Sequence, residues 1–293
     1  MKLQFDIRKP SLQLAVFLML IGCCFVLLSA ISAGLLLFLE KDTAMFNRIV
    51  SAVSQIVVFL LPCLVLAWWI QKTGRINYLR TKTSPHWQDL ILVLLIVSAS
   101  IPFMEAIIEW NGAMTLPAKM GALEQIMKEM EAEATQKTEQ MLFVDNFGIL
   151  MVNVLVIGLL PAICEEVLFR GFVLNWMSDV FKNKHIAVWV SAFLFSFIHF
   201  QFYGFVPRML LGVLFAYLVV YSGSLWTSVF AHFLNNTIII IVAYAYFNGY
   251  IQTNYEDFGN FGGAWYAIGI SIILTAIFLG VFFKKHIHKY SKD

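Results

Sequence analysis

The chain has 293 residues, of which 60% are hydrophobic and only 13% charged, and its mean hydropathy is +0.79. That composition excludes a water-soluble domain and describes a membrane protein, with the lipid bilayer as its first partner. A formal net charge of +2 gives no reason to expect nucleic acid.

Crossing a bilayer takes about 20 mostly apolar residues. In chain order the stretches that qualify are 11–39, 48–70, 88–108, 147–174, 186–203, 207–222, 225–247 and 264–283. The expected fold class is therefore all-α, a polytopic integral membrane bundle of about eight transmembrane helices. The first stretch follows Lys2, Arg8 and Lys9 but runs on without a small-residue cleavage site, so it reads as a retained helix rather than a signal peptide. Between the third and fourth stretches, residues 109–143 contain "KMGALEQIMKEMEAEATQKTEQML". There Met120, Leu123, Met127, Met130 and Ala134 recur at helical spacing, and Glu124/Lys128 and Glu133/Lys137 are i, i+4 pairs. The spacing predicts an amphipathic helix lying on the outer face; a gate over a substrate entrance is the sharper alternative. Cys23, Cys24, Cys63 and Cys164 all fall inside apolar stretches and read as packing residues, not as a disulfide framework.

Lysine and arginine favour the cytoplasmic side. With the N-terminus inside, that side holds thirteen: Lys2, Arg8, Lys9, Lys72, Arg75, Arg80, Lys82, Lys182, Lys184, Lys284, Lys285, Lys289 and Lys292. Lys41, Arg48, Lys119, Lys128, Lys137 and Arg208 fall on the other side. Both termini are expected in the cytoplasm. The chain divides into residues 1–145 (three helices and the amphipathic connection), a core at 146–250 that carries the chemistry, and 251–293 (the last helix and a basic tail).

An ionisable side chain at the centre of a membrane helix costs about 2.5 to 3.5 kcal/mol, so it needs a partner or a purpose. The core carries Glu165, Glu166 and Arg170 in "PAICEEVLFRG", His199 in "FLFSFIHF", and His232 with Asn236 in "AHFLNN", whereas His86, His185, His286 and His288 fall in hydrophilic connections or the tail. At about 100° per residue, Arg170 lies roughly 40° around the helix from Glu166 but roughly 140° from Glu165. Glu166 and Arg170 are thus a natural ion pair, while Glu165 has no local partner and suits a proton acceptor. Pro161 removes a backbone hydrogen bond just before the pair. His232 and Asn236 share a face and can both donate to one oxygen. Counted from the cytoplasmic ends at about 1.5 Å per residue, Glu165 lies roughly 14 Å in, His199 roughly 20 Å, His232 roughly 11 Å and Asn236 roughly 17 Å.

These three segments resemble the EExxxR, FxxxH and HxxxN motifs of the CPBP family of intramembrane proteases, the CAAX prenyl protease and bacteriocin-processing (Abi) group; the resemblance covers about residues 147–250. It implies that Glu165 and His199 hold and deprotonate a water that attacks a scissile carbonyl. It further implies that His232 and Asn236 stabilise the oxyanion and that Glu166 and Arg170 orient the group from behind. No cofactor is favoured; zinc or another divalent metal on Glu165, His199 and His232 is the alternative, although no HExxH occurs. The implied partner is a peptide or membrane-protein substrate, with prenylation open. A proton-coupled transporter uses similar residues, but no inverted repeat supports it. A catalytically inactive scaffold is the third reading.

Overall fold

A computed structural model describes residues 6–41, 43–74, 77–262 and 264–290, the last three by backbone alone. Lys2, Arg75 and Lys292 of the basic-residue count lie outside the described residues, as do the side chains of His288 and Lys289.

The apolar runs fold as helices whose ends are written in the sequence. Pro10, whose missing N–H has no role at a helix start, opens α1 (Pro10–Leu35). Thr43 caps α2 (Ala44–Gln71) by accepting from the Phe46 amide at 3.2 Å. Asp89 reaches back to the His86 amide at 3.1 Å to open α3 (Trp87–Gly112). After α4 (Gly121–Leu142), Asn146 Oδ1 caps α5 (Phe147–Phe181) through the Gly148 and Ile149 amides, and Asn183 does the same for α6 (Lys184–Phe197). Gly223, at φ +70, turns α7 (Phe205–Ser222) into α8 (Leu225–Phe247), and α9 (Trp265–Tyr290) closes the chain.

No strand occurs among the described residues. All of these helices except α4 and α6 are long and apolar enough to cross a membrane, seven in number, so the chain is a multi-pass integral membrane protein. The expected span at 186–203 is shorter than the sequence suggests. Helix α6 has 14 residues, roughly 21 Å against a hydrocarbon core of about 30 Å. Its end has a local cause. The Phe195 carbonyl, which the His199 amide would take in a continuing helix, is taken by His199 Nδ1 at 2.7 Å, and the amide turns to Ser196 O instead.

Three prolines interrupt helical hydrogen bonding in the bundle, and each interruption is managed. Pro102, inside α3, is followed by a break into which Ser271 of α9 inserts its hydroxyl, donating to Ala99 O and accepting from Phe103 N. In α2 and α5 a π-helical turn, Gln55–Leu60 and Val154–Leu159, ends two residues before Pro62 and Pro161. A second π turn in α5, Val167–Val173, follows the glutamates.

Helix α5 is the centre of the molecule. Every residue from Cys164 to Asn175 is buried. Val167, Phe169 and Phe172 pack with Cys63, Leu66 and Ile70 of α2 and Phe17 of α1, while a second core joins Val93 and Ile96 of α3, Phe215 and Leu218 of α7, Ala231 of α8 and Phe282 of α9. Helix α4 is held differently. Its Glu131 and Glu139 carboxylates accept from the Tyr203 amide and the Tyr255 hydroxyl, and Arg48 of α2 donates to its Met141 carbonyl at 2.7 Å. The stripe carrying Met120, Leu123 and Met130 is left exposed. Both expected ion pairs form, Glu124–Lys128 at 2.8 Å and Glu133–Lys137 at 2.6 Å.

Candidate functional site

The polar groups of α5 are brought together with those of α8 and α2 by close helix approach. Gly158 lets α8 come near: a Cβ there would lie 3.2 Å from Thr237 Oγ1. Gly212 does the same between α7 and α6, where a Cβ would lie 3.1 Å from Ala192 Cβ, and its carbonyl accepts from Arg170 Nη2 at 3.1 Å.

Glu166 and Arg170 are both fully buried, and the expected i, i+4 pair forms at 2.9 Å. The guanidinium lies over the Phe195 ring, 4.4 Å from its centroid. The same Glu166 oxygen, Oε1, also accepts from His232 Nδ1 at 2.9 Å. Sequence reasoning did not anticipate this bond, because it joins residues 66 positions apart on different helices. It fixes the imidazole's use. With Nδ1–H donated to a carboxylate, Nε2 offers a lone pair in the neutral ring and donates only when the ring carries both protons.

Glu165 turns away from that pair, as the helical geometry requires. It is 7% exposed, its Oε1 accepts from Gln55 Nε2 at 2.8 Å, and its Oε2 lies 3.9 Å from His232 Nε2. Gln55 sits in the π turn of α2 and was missed from the sequence. Its signal was there, since it is the lone side-chain amide between residues 48 and 70.

His199 lies one residue beyond the C-cap of α6, not within a helix. Because its Nδ1 meets a carbonyl, which can only accept, Nδ1 carries the proton and Nε2 is left with a lone pair. It is close enough to Glu165, His232 and Arg208 for their charges to act on it, yet no hydrogen bond joins it to them. Arg208, counted from the sequence as an outer-side charge, donates to Gln201 Oε1 at 2.8 Å and lies within electrostatic reach of Glu131 and Glu165. Burial pushes the Glu131 carboxyl above its ordinary range, opposed by the Tyr203 amide and Arg208.

Asn236 takes an unexpected partner. Its Nδ2 donates to Ile157 O at 3.4 Å. Ile157 is four residues before Pro161, so its carbonyl is the one that the missing proline N–H would have served. Asn235 donates to Asn236 Oδ1 at 3.5 Å. Glu165, Glu166, Arg170 and His232 thus form one connected cluster with Gln55; Asn236 bonds instead to the α5 backbone at Ile157, and His199 stands beside the cluster. Among the described residues no group of three His, Cys, Asp or Glu side chains is placed to hold a metal ion.

Fold and cluster together define a multi-pass membrane protein with a buried polar centre on α5, α8 and the α6–α7 connection. Residues 147–238 match the family model described as Type II CAAX prenyl endopeptidase Rce1-like. The resemblance read from the three motifs is thereby shown for this segment, which runs from α5 into α8, and the family it matches is one of proteases. No curated protein and no solved structure matches the chain.

Proposed function

We propose that the chain is an intramembrane endopeptidase that hydrolyses a peptide bond in a membrane-held peptide or protein, prenylated CAAX-type substrates included, by a water activated at Glu165 and His199. The observation that carries the reading is the setting of Glu165. It is a buried carboxylate with one oxygen held by Gln55 and the other turned to His232, on the segment that matches an endopeptidase family.

The water oxygen attacks the scissile carbonyl carbon as one proton passes to Glu165, while the other stays on the oxygen and is donated in a hydrogen bond to His199 Nε2, which orients the attack. The carbonyl electron pair moves to oxygen. Collapse of this tetrahedral oxyanion breaks the C–N bond, and the leaving amine takes the proton back from Glu165. His232, in its doubly protonated form, and the second N–H of the Asn236 amide stabilise the oxyanion. Glu166 fixes His232 through Nδ1, and Arg170 compensates Glu166. No step runs through a metal. In this reading both termini face the cytoplasm, which needs the short α6 and its apolar flanks to complete an eighth crossing; the excess of basic residues supports it, and labelling of engineered terminal cysteines in intact cells checks it.

Glu165→Gln keeps the volume of the side chain and removes its ionisable group. Hydrolysis of a prenylated CAAX peptide should be lost while the unfolding temperature in detergent stays unchanged; full activity in that variant would sink the assignment. Elemental analysis of active protein should find no stoichiometric transition metal, and chelators should leave turnover unaltered. One zinc per chain, lost with activity and restored with it, would replace this mechanism with a metal-dependent one.

A further inference from the structure

Between α3 and α8, with Asn235 on one wall, lies a cleft of about 420 Å³. That is within the usual range for small-molecule sites. Its long walls are mostly apolar, with Val97, Ile101 and Met104 on one side and Ile238 on the other, interrupted by Ser100 and Asn235, and one end is acidic, with Glu105 and with Glu256, whose Oε1 accepts from the Tyr255 hydroxyl at 3.3 Å. Glu105 is 7% exposed, and among the described residues no donor meets its carboxylate. The charges that act on it are Glu109, Glu256 and Asp257, all of its own sign. A carboxylate lining an apolar cleft among like charges either takes up a proton or gains from a cation that enters the cleft. No lysine or arginine occurs between residues 248 and 263, so the adjoining loop supplies none.

The loop's backbone is nonetheless pressed onto α3 at this point. Gly259, at φ +109, approaches so closely that a Cβ there would fall 2.6 Å from Ile101 Cγ2 and 3.6 Å from Glu105 Cβ, which only glycine permits. The acidic end is thus built by close packing. No set of three ligating side chains among the described residues could hold a metal ion, and the walls are apolar for most of the cleft's length. A cation suited to this cleft is therefore one that carries its own apolar stem.

We propose that this cleft binds an amphiphilic organic cation: a protonated amine or guanidinium head against Glu105 and Glu256, and an unbranched apolar stem along Val97, Ile101, Met104 and Ile238. A free long-chain amine and a lysine or arginine side chain of a membrane peptide share this chemistry.

The test uses the full chain in nanodiscs of phosphatidylcholine and reads binding, so it is independent of whether the protein cleaves peptides. Dodecylamine should raise the unfolding temperature of the wild type and 1-dodecanol should not, and Glu105→Gln should weaken dodecylamine binding by about tenfold or more, as loss of a charge-assisted hydrogen bond does. In a second arm, a leucine-rich peptide with a central lysine is compared with its norleucine counterpart; the source is whichever probe binds in a Glu105-dependent way. Should neither dodecylamine nor the lysine peptide distinguish wild type from Glu105→Gln, the proposal is overturned. Removing a like charge should leave the ligand-free variant at least as stable as the wild type. If that variant does not fold, Ile239→Trp decides the matter. Ile239 lines the cleft and is 44% exposed, so a larger side chain narrows it at a tolerant position. Retained dodecylamine binding in that variant would also overturn the site, and loss of binding with the fold intact supports it.

Discussion

Helices α2 and α5 carry the same backbone device and use it differently. In each a π turn ends two residues before a proline, and the two bent regions pack against each other. Four and five residues past its proline, α5 places Glu165 and Glu166; α2 places Leu66 and Ala67, both buried in apolar surroundings. At the freed carbonyls the difference repeats. Ile157 O in α5 is met by Asn236, whereas no hydrogen bond from a side chain to the corresponding Val58 O is found among the described residues. A proline bend is thus a way to expose backbone and reorient a helix, and it becomes a site only where neighbouring helices bring polar groups to it. Helix α2 contributes to that site through the Gln55 amide.

The largest way to break this comparison is at Arg170. Arg170→Ala leaves Glu166 buried without its cation and should cost about 3 to 5 kcal/mol, seen as a large drop in unfolding temperature in detergent; a loss under about 1 kcal/mol would mean that the pair is not held as described. Next is Asn236, which serves a carbonyl in the structure and an oxyanion in the proposed mechanism. Asn236→Ala should lower turnover by about a hundred- to a thousandfold with little change in KM. Pro161→Ala restores an N–H to Ile157 O, so the double variant separates the two roles: turnover that returns with Pro161→Ala makes Asn236 a backbone cap alone. Gln55→Leu removes one bond to Glu165 and should cost about 1 kcal/mol of stability and depress turnover several-fold. The smallest effect is expected at Pro62→Ala, which should change stability by no more than about 1 kcal/mol and leave turnover as it was. A turnover loss at Pro62 as deep as that of Asn236→Ala would show that the two bends are coupled.

What could be read from the sequence was what lies within one helix. The spans were legible because apolar runs of membrane length have few other uses, and the Glu166–Arg170 pair because i, i+4 neighbours on a helix must meet. The turning away of Glu165 followed from the same geometry. What crosses between helices was not legible. The second claim on Glu166 by His232, the support of Glu165 by Gln55 and the service of Asn236 to Ile157 depend on packing angles that periodicity does not carry. His199 was placed in a helix because its flanks are apolar; in the structure its own ring competes for the Phe195 carbonyl where that helix ends early, and Phe200 follows at φ +53.

The two π turns of α5 also have a mechanical consequence. A regular helix bends as a uniform rod, but one interrupted at 154–159 and again at 167–173 is jointed, and its compliance is concentrated where the hydrogen-bond ladder is out of step. Between the joints sits the short rigid link Leu160–Glu166, which carries both glutamates. Lateral tension or a change in bilayer thickness acting on the ends of α5 should therefore be taken up first at the joints. The link that holds the carboxylates rides through the deformation as one piece, with Arg170 acting as a strap from the second joint to Glu166 and to Gly212 on α7.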